Sequence, residues 1–110
     1  MTERALQAAV FDFLRVALPS DATAFAVPNG DGRMTTAPGA LSGAPDLQII
    51  YRGKPIFIEL KTATGRLSPE QKAVHIRLAA AGAVVSVCRS VVEVEEFLSM
   101  LIPLRARVAA

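Results

Sequence analysis

The chain has 110 residues, 52% of them hydrophobic, a formal charge of +2, one cysteine and one histidine; that length suits one domain that buries a core without staples. Cys88 alone excludes a disulfide framework and any multi-cysteine zinc site, and His75 alone excludes most histidine-built metal sites. A metal here would therefore sit on oxygen ligands, the chemistry of magnesium, manganese or calcium.

Residues 2–18 read as a helix, with Thr2 as its cap, Leu6, Val10, Phe13, Leu14 and Ala17 at helical spacing, and Pro19 as its terminator. Residues 23–27 read as a short strand. Residues 28–43, which hold Pro28, Asn29, Gly30, Gly32, Pro38, Gly39 and Gly43, read as a long loop. Two strand-like runs, 46–52 and 56–61, flank Gly53-Lys54 as a hairpin does. A second helix starts on Ser68, with Pro69 in its first position and Gln71 as capping-box partner, and runs to about Ala81, where Gly82 stops it. Val84–Cys88 is an apolar strand. Ser90 and Glu93 form a second capping box for a helix from Val91 to Ile102, closed by Pro103, and the tail from Leu104 is expected to fray or to serve association.

The expected domain covers 1–103, with 104–110 as a tail. The order α-β-β-β-α-β-α describes an α/β fold in which three strands make a meander. The fourth, reached through a helix, can lie parallel to a neighbour by a right-handed crossover. No run of about 18 apolar residues exists to span a bilayer. Glu3 and Asp12 inside the first apolar segment are unlike a secretory leader, so the cytoplasm is the expected location. Basic residues from Arg33 to Arg77 crowd the middle of the chain, a distribution suited to phosphates, while Glu93, Glu95 and Glu96 read as a solvated face.

The hairpin carries the chemistry. With Gly53 and Lys54 as turn residues, Arg52 pairs with Pro55, Gln48 with Glu59 and Asp46 with Lys61. Opposed residues share a face, as do residues two apart, so Asp46, Glu59 and Lys61 fall on one face at one end of the hairpin. Ile56, Ile58 and Leu60 then point to the other face. Two neighbouring carboxylates repel and desolvate poorly unless a cation sits between them, and magnesium takes such ligands together with water and phosphate oxygens. The adjacent lysine is no ligand, but it can stabilise charge on a phosphate under attack or assist deprotonation of the attacking water. Such groups make a phosphodiester hydrolase. Without a metal, Glu59 and Lys61 would be a same-face salt pair and Asp46 a turn residue after Pro45.

Pro45-Asp46 followed by Glu59-Leu60-Lys61 resembles the PD-(D/E)XK nuclease signature. The runs G-A-P-D-L at 43–47, I-E-L-K-T at 58–62, G-R-L-S-P-E-Q at 65–71 and A-G-A-V-V-S-V-C-R-S at 81–90 are similar to the virus-type replication–repair nuclease domain, VRR-NUC. The resemblance implies a restriction-endonuclease-like core, a mixed sheet flanked by helices. It implies Asp46 and Glu59 as metal ligands, the backbone carbonyl of Leu60 as a third, and Lys61 as the catalytic lysine. It further implies a helix-borne glutamate near the metal, which Glu3 matches; the alternative for Glu3 is a favourable charge in the first helical turn. Gln71 resembles the family's glutamine after the catalytic strand, able to touch a phosphate or orient Lys61, alongside its capping role. Pro28-Asn29-Gly30 matches the family's loop only loosely. Arg33 is its one basic residue, with Thr35, Thr36 and backbone amides as further donors. His75, one turn after Gln71, either lies near the site or is a packing residue, and Cys88 is read as core.

The activity implied is that of a Mg2+- or Mn2+-dependent DNA endonuclease, structure-selective and Holliday-junction-resolvase-like. It would act on branched DNA as a homodimer, with the apolar C-terminal helix either as the interface or packed on the sheet. The alternative is a non-catalytic nucleic-acid-binding module on the same fold, and a protein-interaction domain is a third reading.

Overall fold

In the computed structural model, residues 1–28 and 39–108 are described. The expectations for Asn29, Gly30, Gly32, Arg33, Thr35, Thr36 and Pro38 lie outside those residues. The elements are α1 (Glu3–Ala17), β1 (Ala22–Ala26), β2 (Leu47–Tyr51), β3 (Lys54–Leu60), α2 (Pro69–Ala80), β4 (Val84–Cys88) and α3 (Val91–Ser99), in the expected α-β-β-β-α-β-α order. They form a four-stranded mixed sheet, ordered β1-β2-β3-β4, in which β1, β2 and β3 are antiparallel and β4 runs parallel to β3.

Local chemistry sets the helix ends. The Thr2 side chain accepts from the Ala5 amide at 3.0 Å, and Leu18 leaves the helix in an extended conformation ahead of Pro19, which disfavours a helical residue before it. Between these ends Leu6, Val10, Leu14 and Ala17 recur every three or four residues and are buried. The Ser68–Gln71 capping box closes in both directions, with Gln71 N donating to Ser68 Oγ at 3.1 Å and Ser68 N donating to Gln71 Oε1 at 2.9 Å. The second box does not close. Ser90 Oγ accepts from Glu93 N at 3.1 Å, but the Glu93 carboxylate takes the Arg89 amide at 2.8 Å instead of the Ser90 amide.

The hairpin turn sits one residue earlier than expected. Arg52 and Gly53 both have positive φ, at 49° and 78°, the signature of a two-residue primed turn. Such a turn favours glycine second, which leaves Arg52 first and returns Lys54 to the strand. Tyr51 therefore pairs with Lys54, and Gln48 with Phe57 rather than Glu59. Arg52 is held there by Asp21, at 2.9 Å, and lies over the Tyr51 ring. Moving the turn by one residue moves every partner by two, so side-chain parity survives. Ile56, Ile58 and Leu60 point into the core with Leu47 and Ile49, as expected.

That core lies between one sheet face and the pair α1 and α3, and Val10, Leu47, Ile49, Ile56, Ile58, Val94 and Leu98 are wholly inaccessible. The end of the chain differs from expectation. Helix α3 stops at Ser99, and Ile102 is buried after a further turn. Val94, Leu98 and Ile102 belong to the core, and Val91, Phe97 and Leu101 pack against it, so the apolar surplus assigned to a dimer interface is used within the chain. Nor does the tail fray through Val108: the Arg105 amide donates to Ala17 O at 2.7 Å and the Val108 amide to Glu95 Oε2 at 2.6 Å. No helix among the described residues is long and apolar enough to cross a membrane.

Candidate metal centre

Strand β3 is interior, paired on both sides, and it ends at Leu60. Glu59 therefore projects from an interior strand, on the face opposite the core. Its partner in β4 is Val87, and the last rung between β3 and β2 joins Ile58 with Leu47. One further step along that ladder sets Asp46 beside Glu59, where the expected register had set Lys61. Asp46 is fixed there by its own carboxylate, since Oδ2 accepts from the Leu60 amide at 2.6 Å while the Asp46 carbonyl accepts from Val27 N at 2.9 Å. Lys61 follows the strand end, its amide bonded to the Cys88 carbonyl at 3.1 Å.

The three residues differ in exposure. Glu59 is 1% and Lys61 7% exposed, and they are the charged side chains buried among the described residues, while Asp46 is half-buried. The fourth member comes from α1. Glu3 is solvent-exposed, yet one oxygen each from Glu3, Asp46 and Glu59 lie within 4.8 Å of one another. The helical stripe that places Leu6 and Val10 in the core thus brings the first turn of α1 to the open end of the sheet.

Electrostatics records the crowding. Burial, above all, pushes the Glu59 carboxyl up to about 9; a shared hydrogen bond with Asp46, the charge of Asp46 and that of Glu3 push the same way, and Lys61 opposes them. A carboxyl in this state holds a proton at neutral pH until a cation replaces it. The donor set is all oxygen and acidic, with a buried ammonium beside it, which fits magnesium or manganese.

The surroundings come from α2 and the loop before it. Gln71 lies on the packing face of α2, and its amide oxygen is taken by the Ser68 amide, which leaves the NH2 end as the group able to face a phosphate. For His75, one turn on, two readings were open, a place near the site or a packing role. Its Nε2 lies 3.3 Å from Glu59 Oε1, so it belongs to the site. Burial first, then Lys61, lowers its pKa, and Asp46 opposes them. Gly43, with φ at +87°, lets the loop before Pro45-Asp46 close onto α2, because a Cβ there would stand 3.1 Å from the backbone of Glu70. Arg89 went unnoticed in the sequence. It donates from Nη1 to the carbonyls of Thr62 at 2.7 Å and Gly65 at 2.6 Å, tying down the segment that follows Lys61. A Cβ added at Gly65 would stand 3.5 Å from Lys61 Cδ, so the bare glycine leaves that side chain room. The spacing of Gln71 and His75, four apart on one helix face, was a usable signal for His75; nothing local pointed to Arg89. Cys88 is core, as expected.

Comparison with known proteins agrees with this geometry. The VRR-NUC domain family model matches residues 32–92. Among solved structures, one described as a VRR_NUC domain is similar at 26% identity with a TM-score of 0.64, over 92% of this chain and 99% of that one. A second, described as a VRR_NUC domain protein, has a TM-score of 0.71 at 22% identity, over 90% of this chain and 86% of that one, a likeness of fold. No curated protein matches the chain.

Proposed function

Since the chain belongs to the VRR-NUC domain family, we propose that it is a divalent-metal-dependent endonuclease that hydrolyses DNA phosphodiester bonds, selective for branched structures in the manner of a Holliday-junction resolvase. The observation that carries this reading is the convergence of Glu3, Asp46 and Glu59 oxygens beside the buried Lys61. In the reading, those three carboxylates and the Leu60 carbonyl hold Mg2+ or Mn2+, which supplies Lewis acidity toward the scissile phosphate. Lys61 faces the charge that develops on that phosphate, and its burial strengthens the interaction. Gln71 contacts a phosphate oxygen through its amide NH2.

Selectivity for shape follows from where the cations lie. Arg66, Lys72 and Arg77 are exposed, and such cations suit backbone phosphates rather than base edges. The described residues of one chain hold one such centre, so paired incisions across a junction call for two copies; the homodimer belongs to the proposal on that ground alone. The test is cleavage by purified protein of four-way, flapped and linear DNA with Mg2+, Mn2+ or chelator, beside Asp46→Asn. Metal-dependent nicking of branched DNA, lost in the variant, is expected. Binding without cleavage under every condition would leave the non-catalytic module, and equal cutting of linear DNA by a monomer would remove the resolvase-like part.

A further inference from the structure

The reaction as proposed uses Glu59 but gives His75 no part, although the two side chains meet. Helix α2 presents Gln71, Val74, His75 and Leu78 toward the sheet, and Val74 alone among its residues is fully buried. The helix is therefore lightly anchored by apolar contact, and its polar contact with β3 runs through one pair. His75 Nε2 stands 3.3 Å from Glu59 Oε1, with side chains 12% and 1% exposed. The imidazole is not a member of the three-oxygen cluster; it meets Glu59 without joining the ligand set.

A buried carboxylate needs its oxygens satisfied, and a metal satisfies one side only. An ionised carboxylate is acceptor-only, so whenever Glu59 holds a cation the ring nitrogen against Oε1 must carry hydrogen. A fixed donor on one oxygen also sets the rotation of the carboxylate. Ligands oriented in this way by an outer partner lose about 10- to 100-fold in metal affinity when that partner is removed. A purely structural histidine would instead couple to the stability of α2 and leave metal affinity alone.

We infer that His75 is a positioning residue for the metal centre, holding Glu59 through an Nε2–H donor so that the carboxylate presents its other oxygen to the cation. The inference rests on the proposed metal site. The experiment is calorimetric titration of Mn2+ into wild type, Asp46→Asn, His75→Phe and His75→Gln, with melting in chelator as a control. The amide nitrogen of Gln reproduces the position of Nε2, whereas Phe keeps the ring and removes the donor. His75→Phe should lose about 10- to 100-fold in Mn2+ affinity while melting near wild type, and His75→Gln should recover most of that loss. Nitrogen-15 NMR of the Mg2+-loaded wild type should show the hydrogen on Nε2, a readout independent of how any variant folds. Wild-type protein that bound no Mn2+ would overturn the metal site and the inference together. Wild-type binding with undiminished affinity in His75→Phe, equal losses in Phe and Gln, or an Nε2 without hydrogen would overturn the inference alone.

Discussion

Metal binding should compete with a proton on Glu59, and the geometry fixes the direction and approximate size of the effect. Burial and the neighbouring Asp46 raise that carboxyl from 4.5 to about 9, so at pH 7 its ionisation costs on the order of 3 kcal/mol. Raised pKa values favour the protonated native state. Metal-free protein therefore binds more protons folded than unfolded between about 4.5 and 9, and its stability must fall as pH rises through that window. A cation reverses the preference, because a ligand must be deprotonated, and one proton leaves for each ion bound. Apparent affinity for Mn2+ should rise about tenfold per pH unit from 6 to 8 and flatten above 9. Titration calorimetry in two buffers of different ionisation enthalpy counts the released proton directly, and melting in chelator should show lower stability at pH 9 than at pH 6. An affinity that did not change between pH 6 and 8, with no proton released, would show that Glu59 is already ionised and refute the reasoning.

Three further outcomes are expected. Lys61→Ala should abolish nearly all cleavage while metal affinity, read by the same calorimetry, is kept or improved, since the ammonium is no ligand and repels the cation. Ser68→Ala should remove the N-cap of α2 and cost about 1 kcal/mol in denaturant unfolding. Gly43→Ala should cost roughly 2 kcal/mol or more, because the residue sits at positive φ and its new methyl meets Glu70, and limited proteolysis should then find the 39–45 segment more open.

The fold was legible where each local signal had a single physical meaning. Thr2, Ser68, Ser90, Pro19 and Gly82 mark helix ends by capping or by conformational restriction, and all five act in the structure. The hairpin register was harder, because Arg52-Gly53 and Gly53-Lys54 both place a glycine in a two-residue turn. The preference for glycine second decides it, at the cost of a positive φ on arginine. The end of α3 was also ambiguous. An apolar run from Val91 to Ile102 is consistent with one long helix or with a helix and a buried turn; the structure has the second, with the Met100, Leu101 and Ile102 amides bonded back to the Phe97 and Leu98 carbonyls.

The site was legible for a related reason, and it fails where that reason stops. Parity along a strand is local, so an error of one residue at the turn still left Asp46, Glu59 and Lys61 on one face. It changed only which of them stand opposite each other, and the structure sets Asp46 beside Glu59 rather than Lys61. Contacts made by the crossover carry no such local rule. His75 reaches Glu59 across 16 residues, and Arg89 reaches Thr62 and Gly65 across 27 and 24, because β4 runs parallel to β3 and brings α2 and the β4–α3 turn to the same end of the sheet. That end is where the ladder of β3 runs out. Before it, alternate residues are committed to the core; beyond it, Lys61 leaves the sheet with its main chain still pinned to Cys88. The strand thus holds Glu59 rigidly, while the groups around it arrive from α1, α2 and the loop at Gly43. Folding alone gains nothing from a carboxyl buried beside two others, since each raises the free energy of ionising the next. In the proposed reading, a cluster so costly to ionise has its rationale in the cation it would accept.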